Sequence, residues 1–262
     1  MKNWLKRLIC IGLCGIFLLF ELSITPKTEG MNLLYVGSGN SAQHLDYIVY
    51  KPQNVSADTP IFLFLHGDGE VNSDFVKVAK HYKFIRALLD GSWTPNFVFV
   101  MPLGKRKGNW VNEYNNVNII LDEVSKYFGG SKNNMYIGGA SAGSDAISYY
   151  QKSGSFKGAI CMAGHVGDKR SAVSANEIMN RWSGKKLWYF RDNLANNGGY
   201  GCDVDFLYSC AALAPQYNVN FRVTDLNWNH SYKLVDRVFL PENMKDAKGQ
   251  PGMDAITNLI YQ

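Results

Sequence analysis

Two uninterrupted apolar runs, residues 61–65 (IFLFL) and 97–101 (FVFVM), constrain this chain most. Five consecutive apolar residues without polar alternation suit a strand only where both of its faces are covered, as in a parallel sheet flanked by helices. Further strands are read at 47–50 (YIVY), 135–137 (MYI), 158–162 (GAICM), 187–190 (LWYF) and 220–223 (NFRV). The intervals between them are long enough for helices. Val117, Ile120, Leu121, Val124 and Phe128 keep a helical period over 116–128, and 142–151 reads as a second helix. Strands alternating with helices imply βαβ units and an α/β fold with a mainly parallel, doubly wound sheet. The 262 residues suffice for one such domain, and no internal repeat or low-complexity linker divides them.

The first 30 residues read differently from the rest. Lys2, Lys6 and Arg7 precede an uncharged apolar run, 8–20 (LICIGLCGIFLLF). Thirteen residues fit the core of an export signal better than a full membrane span, which needs about 20. No A-x-A cleavage site follows, so a cleaved signal and a retained anchor both stand, each placing the body outside the cytoplasm. We expect residues 1–30 to be signal or anchor plus spacer, and residues 31–262 to be the folded domain. Membrane contact is then through the N-terminal segment alone.

Of the net charge of +5, the first 30 residues hold +2. The remainder is too weakly basic for a nucleic-acid surface. Lys105, Arg106 and Lys107 form the single basic run of three, read here as a solvated loop. Outside the signal lie Cys161, Cys202 and Cys210. Cys202 and Cys210 could pair only across a non-helical turn, because eight helical residues span about 12 Å. No cysteine pattern resembles a metal site, and no metal or organic cofactor is expected.

Ligands of open parallel sheets bind beyond the carboxyl ends of the strands, so the residues just after each run matter most. After 61–65 comes His66-Gly67-Asp68-Gly69, and after 135–137 comes Gly138-Gly139-Ala140-Ser141-Ala142-Gly143. The second contains G-x-S-x-G. A serine on a tight turn from strand to helix needs small neighbours, and all five residues around Ser141 are Gly or Ala. The following helix would direct its N-terminus at a developing oxyanion. Two backbone N–H groups must converge there: one from Ala142, the other from Asp68 or Gly67. The His66 side chain is expected to brace its loop.

Catalysis also needs a base and an orienting acid, and folds that the G-x-S-x-G turn resembles carry them in the order nucleophile, acid, histidine. His230 is the last of the five histidines and is the preferred base; His165 is a weaker alternative. The acid should follow 187–190, where Asp192 is the preferred residue. Asp203, Asp205 and Asp168 remain open. Trp110 and Trp228 flank the expected cleft and are candidates for stacking on a substrate.

The runs IFLFLHGDG, FVFVMP and MYIGGASAG, with Trp110 between them, resemble the α/β-hydrolase superfamily over roughly residues 45–240. Within it they are loosely similar to secreted esterases of the polyhydroxybutyrate-depolymerase and feruloyl-esterase kind. The resemblance implies a serine hydrolase acting on a small-molecule or polymer ester. Arg191 and Asp192 depart from the usual acid-loop pattern. A peptidase or acyltransferase with the same triad, and a binding protein that keeps the fold without catalysis, are the alternatives. The sequence does not fix the oligomeric state.

Overall fold

The computed structural model describes residues 8–9, 32–37, 45–108, 110–164, 173–192, 204–225, 231–240 and 254–262. Nine strands form one sheet: β1 (Leu8–Ile9), β2 (Leu33–Val36), β3 (Tyr47–Tyr50), β4 (Ile61–Leu65), β5 (Val98–Pro102), β6 (Met135–Ala140), β7 (Phe156–Met162), β8 (Lys186–Arg191) and β9 (Asn220–Asp225). Their spatial order is β1-β2-β3-β5-β4-β6-β7-β8-β9. The pairs from β5 through β9 are all parallel, and the three N-terminal strands join antiparallel at one edge. This is the doubly wound, mainly parallel sheet expected from the apolar runs.

The helices are α1 (Phe75–His81), α2 (Lys83–Asp90), α3 (Tyr114–Phe128), α4 (Ala142–Tyr150), α5 (Ala175–Arg181), α6 (Val204–Leu213), α7 (Tyr232–Phe239) and α8 (Ala255–Tyr261). No helix among the described residues is long and apolar enough to cross a membrane.

Strand alternation sorts the central side chains onto two faces. Ile61, Leu63 and Leu65 enter a largely aliphatic core with residues of α3, α4, α5 and α6. Phe62 and Phe64 enter an aromatic core with Phe84, Phe99 and Phe239. Phe84 and Phe239 join α2 to α7 with ring centroids 4.4 Å apart. That contact anchors α7, the helix that begins just after His230.

A second tie joins the same helices. Tyr82, at the N-cap of α2, offers no side-chain cap. Asp236 of α7 supplies one instead, its Oδ1 accepting from Phe84 N–H at 2.9 Å. An N-terminal amide of α2 is thereby satisfied from 152 residues away. Asp236→Ala is expected to lower stability by about 1–2 kcal/mol, seen as a lower denaturant midpoint at unchanged slope. Asp236→Asn keeps an acceptor oxygen and should lose less.

Two boundaries differ instructively from the sequence reading. The strand expected at 135–137 continues to Ala140. Its glycines pair in the ladders of β4 and β7, and neighbours leave them no room for a side chain: a Cβ on Gly138 would lie 2.6 Å from the Phe62 ring. The short β2 was not among the expected strands, although its LLYV is an apolar run as long as YIVY.

Candidate active site

The chain leaves β4 towards β5 on one side and leaves β6 towards β7 on the other. β4 and β6 are neighbours, so the sheet's switch point lies between their carboxyl ends. The two glycine-rich turns singled out in the sequence stand there together. A Cβ placed on Gly67 would be 3.3 Å from the Cβ of Ser141.

Ser141 occupies the turn from β6 into α4 with φ 51° and ψ −118°. Such a conformation costs a non-glycine residue about 1–3 kcal/mol and persists only where its surroundings enforce it. Those surroundings are the two motif glycines. A Cβ on Gly139 would lie 2.4 Å from the Gly143 backbone, and one on Gly143 would lie 2.0 Å from the Leu65 carbonyl oxygen. Neither position admits a side chain. The Ser141 amide donates to Met162 O at 2.9 Å, which fixes the turn against β7. Ala142 opens α4, so its amide belongs to the helix turn whose N–H groups lack intrahelical acceptors.

His66 lies fully buried beneath the adjacent turn. Its Nε2 accepts from Gly104 N–H at 2.8 Å. An amide can only donate, so the ring proton sits on Nδ1, 2.7 Å from the Gly67 carbonyl oxygen it serves. Burial lowers the His66 pKa to about 4, against a weaker upward pull from Gly67 and Asp68. The neutral ring therefore pins the Gly67 carbonyl on one side of the peptide. In a trans peptide the Asp68 N–H points to the opposite side. Both ring nitrogens are engaged, which leaves His66 no lone pair for a metal.

Trp110 requires a correction. The sequence suggested a stacking surface for substrate, but this residue is only 4% exposed. Its indole N–H donates to His66 O at 2.9 Å, and its ring meets His66 edge-on at 4.8 Å between centroids. Gly104 fits between the two rings, where a Cβ would lie 3.2 Å from Trp110. Trp110 is thus part of the floor under the turn.

Asp192 follows β8 directly and is 2% exposed. Ala140, Met162 and Phe190 are paired in register across β6, β7 and β8. Ser141 and Asp192 accordingly stand at strand ends two ladder spacings apart, about 10 Å. Asp205, one of the alternative acids, lies exposed in the first turn of α6. His230, Trp228, His165, Asp168, Asp203 and Cys202 lie outside the described residues. Ser231, the N-cap of α7, marks where the chain re-enters after His230.

Glu70 carries no signature in the sequence. This residue ends the short 3-10 turn Asp68–Glu70 and is 5% exposed. Its carboxyl oxygen lies 3.7 Å from His81 Nδ1. Burial raises its pKa, while hydrogen bonding from Tyr82 and the proximity of His81 pull the other way. Glu70 thereby ties the turn beside Ser141 to the end of α1. Only folding brings these residues together, and no local pattern announces it.

No family model matches the chain, and no curated protein matches it in sequence. Solved structures do match it in shape. A proposed dienelactone hydrolase from Klebsiella pneumoniae subsp. pneumoniae MGH 78578 superposes with a TM-score of 0.55 at 10% identity, over 83% of this chain and 93% of that one. A poly(3-hydroxybutyrate) depolymerase from Bordetella parapertussis gives 0.52 at 13% identity, over 80% and 87%. The acylaminoacyl peptidase of Pyrococcus horikoshii gives 0.52 at 13% identity over 72% of this chain, which spans only 37% of the peptidase. The chain has the α/β-hydrolase fold.

Proposed function

We propose that this chain is a serine hydrolase that cleaves carboxylic esters through an acyl-enzyme formed on Ser141. The observation that carries the reading is the backbone of Ser141, held at positive φ between two glycines that admit no side chain. Such strain at the switch point of the sheet suits a nucleophile lifted above a helix N-terminus.

In this reading Ser141 Oγ attacks the ester carbonyl carbon while His230 takes the hydroxyl proton. The Ala142 and Asp68 amides donate to the oxyanion; the Gly67 amide is the alternative to Asp68. Collapse breaks the bond to the alkoxy oxygen, which leaves with the proton held by His230. Water then attacks the acyl carbon, gives its proton to His230, and releases the acid as Ser141 recovers its proton. Asp192 orients the imidazole and stabilises its charged form. No step requires a cofactor.

The basic N-terminus and its apolar run support action outside the cytoplasm, on a secreted or membrane-anchored protein. A neutral fluorophosphonate probe tests the chemistry. We expect stoichiometric labelling at Ser141, mapped by peptide mass spectrometry, and none in Ser141→Ala. An unlabelled wild type would favour the non-catalytic binding protein.

A further inference from the structure

The loop after β5 carries Lys105, Arg106 and Lys107, all exposed. It is clamped at both ends to the turn beside Ser141. At one end Gly104 N–H donates to His66 Nε2 at 2.8 Å, and Gly104 O accepts from Asn72 N–H at 3.0 Å. At the other end Gly108 N–H donates to Asp68 Oδ1 at 2.6 Å. Only the three basic residues lie between the clamps, which keeps them beside the 66–68 turn. Gly67 in that turn approaches Ser141, as the 3.3 Å separation of their Cβ positions shows. Among the described residues none of the three cations pairs with a carboxylate.

We propose that this loop is the specificity element of the site and selects esters bearing a carboxylate or similar anionic group near the scissile carbonyl. The proposal rests on the serine-hydrolase reading and names its substrate class. A merely solvated basic loop needs no double attachment to the turn that carries the oxyanion donors. Here the attachment holds three positive charges beside a turn whose own carboxylates are Asp68 and the buried Glu70. Asp68 thereby has two tasks: its amide faces the chemistry and its side chain holds the selecting loop. Lysine and arginine side chains reach about 6 Å from their backbone, enough to meet the distal end of a short acyl chain or alcohol. Attraction of this kind acts on encounter and binding and weakens with salt.

The test compares 4-nitrophenyl hemisuccinate with neutral 4-nitrophenyl butyrate on the full chain. In the triple variant Lys105→Gln, Arg106→Gln, Lys107→Gln, kcat/KM for the hemisuccinate should fall about tenfold or more through KM. The butyrate should change less than about twofold. A variant with Lys105→Arg and Lys107→Arg should keep the preference, and salt should erode it in this variant and in the wild type but change nothing in the triple Gln variant. Equal losses for both esters, or no loss for either, would overturn the proposal.

A binding arm does not depend on turnover. Ser141→Ala should bind monomethyl succinate more tightly than methyl butyrate, and adding the triple substitution should abolish the difference. Equal binding, or none at about 10 mM ligand, would also overturn it. Fluorophosphonate labelling of the wild type judges the hydrolase reading separately. Labelling without charge discrimination removes the selecting loop alone. Charge-dependent binding without labelling removes the hydrolase alone.

Discussion

Ser141→Ala is expected to lower kcat for a 4-nitrophenyl ester by about 10⁴- to 10⁶-fold, and Asp192→Asn by about 10³- to 10⁴-fold. The first figure follows from the attacking oxygen itself, which no neighbouring side chain replaces. The second follows from placement. Asp192 is buried at the end of β8, while Ser141 stands at the end of β6. The register Ala140–Met162–Phe190 sets the two about 10 Å apart, an interval that one imidazole with a hydrogen bond at each nitrogen spans. An Asn at 192 keeps the shape of the site but favours the wrong imidazole tautomer. The two substitutions act on one unit, so the double variant should be no slower than Ser141→Ala. Stability should stay within about 1 kcal/mol of wild type for Ser141→Ala, since Ala suffers the same positive φ. Full activity in Asp192→Asn would transfer the acid to Asp203, Asp205 or Asp168. Full activity in Ser141→Ala would end the serine reading.

The central sheet was legible because burial on both faces writes itself into the chain as continuous apolar runs. IFLFL and FVFVM are such runs, and each became a strand within one residue of its expected place. β2 went unread although LLYV is an apolar run as long as YIVY, and it lies between β1 and β3. The switch-point serine was legible for a steric reason: Gly139 and Gly143 are demanded by backbone contacts shorter than any Cβ tolerates. Trp110 was misread, and the attachment of the basic loop was not foreseen, because both are set by partners far along the chain. Trp110 is 44 residues from the His66 carbonyl it serves, and Gly108 is 40 residues from the Asp68 carboxylate. A tryptophan near a strand end, or three cations in a row, looks the same in sequence whether it is floor, rim or bulk surface. Glu70 belongs to the same class, because a lone carboxylate carries no mark of its burial against His81 and Tyr82.

His66→Ala is expected to cost about 3–5 kcal/mol of stability and about 10²- to 10³-fold in kcat. The stability loss combines a cavity with two orphaned backbone groups, the Gly67 carbonyl and the Gly104 amide. The kinetic loss arises because the Gly67–Asp68 peptide is no longer pinned and the Asp68 N–H loses its aim. The two effects separate by pH. The folded protein keeps this ring neutral down to about pH 4, whereas the unfolded chain protonates it near 6.5. Between those values the unfolded state binds more protons. The stabilisation held by the neutral ring is therefore complete above pH 6.5 and declines as the pH falls towards 4, by at most about 3 kcal/mol. Glu70, Asp236 and Asp254 have raised carboxyl pKa values and change in the opposite sense, gaining stability as they take up protons. They are common to both proteins, so the difference in denaturant midpoint between wild type and His66→Ala isolates the imidazole. That difference should shrink as the pH is lowered from 7 to 4. A gap that stays constant across this range would mean that the ring is not held neutral, and with it the case for His66 as the pin of the oxyanion turn would fail.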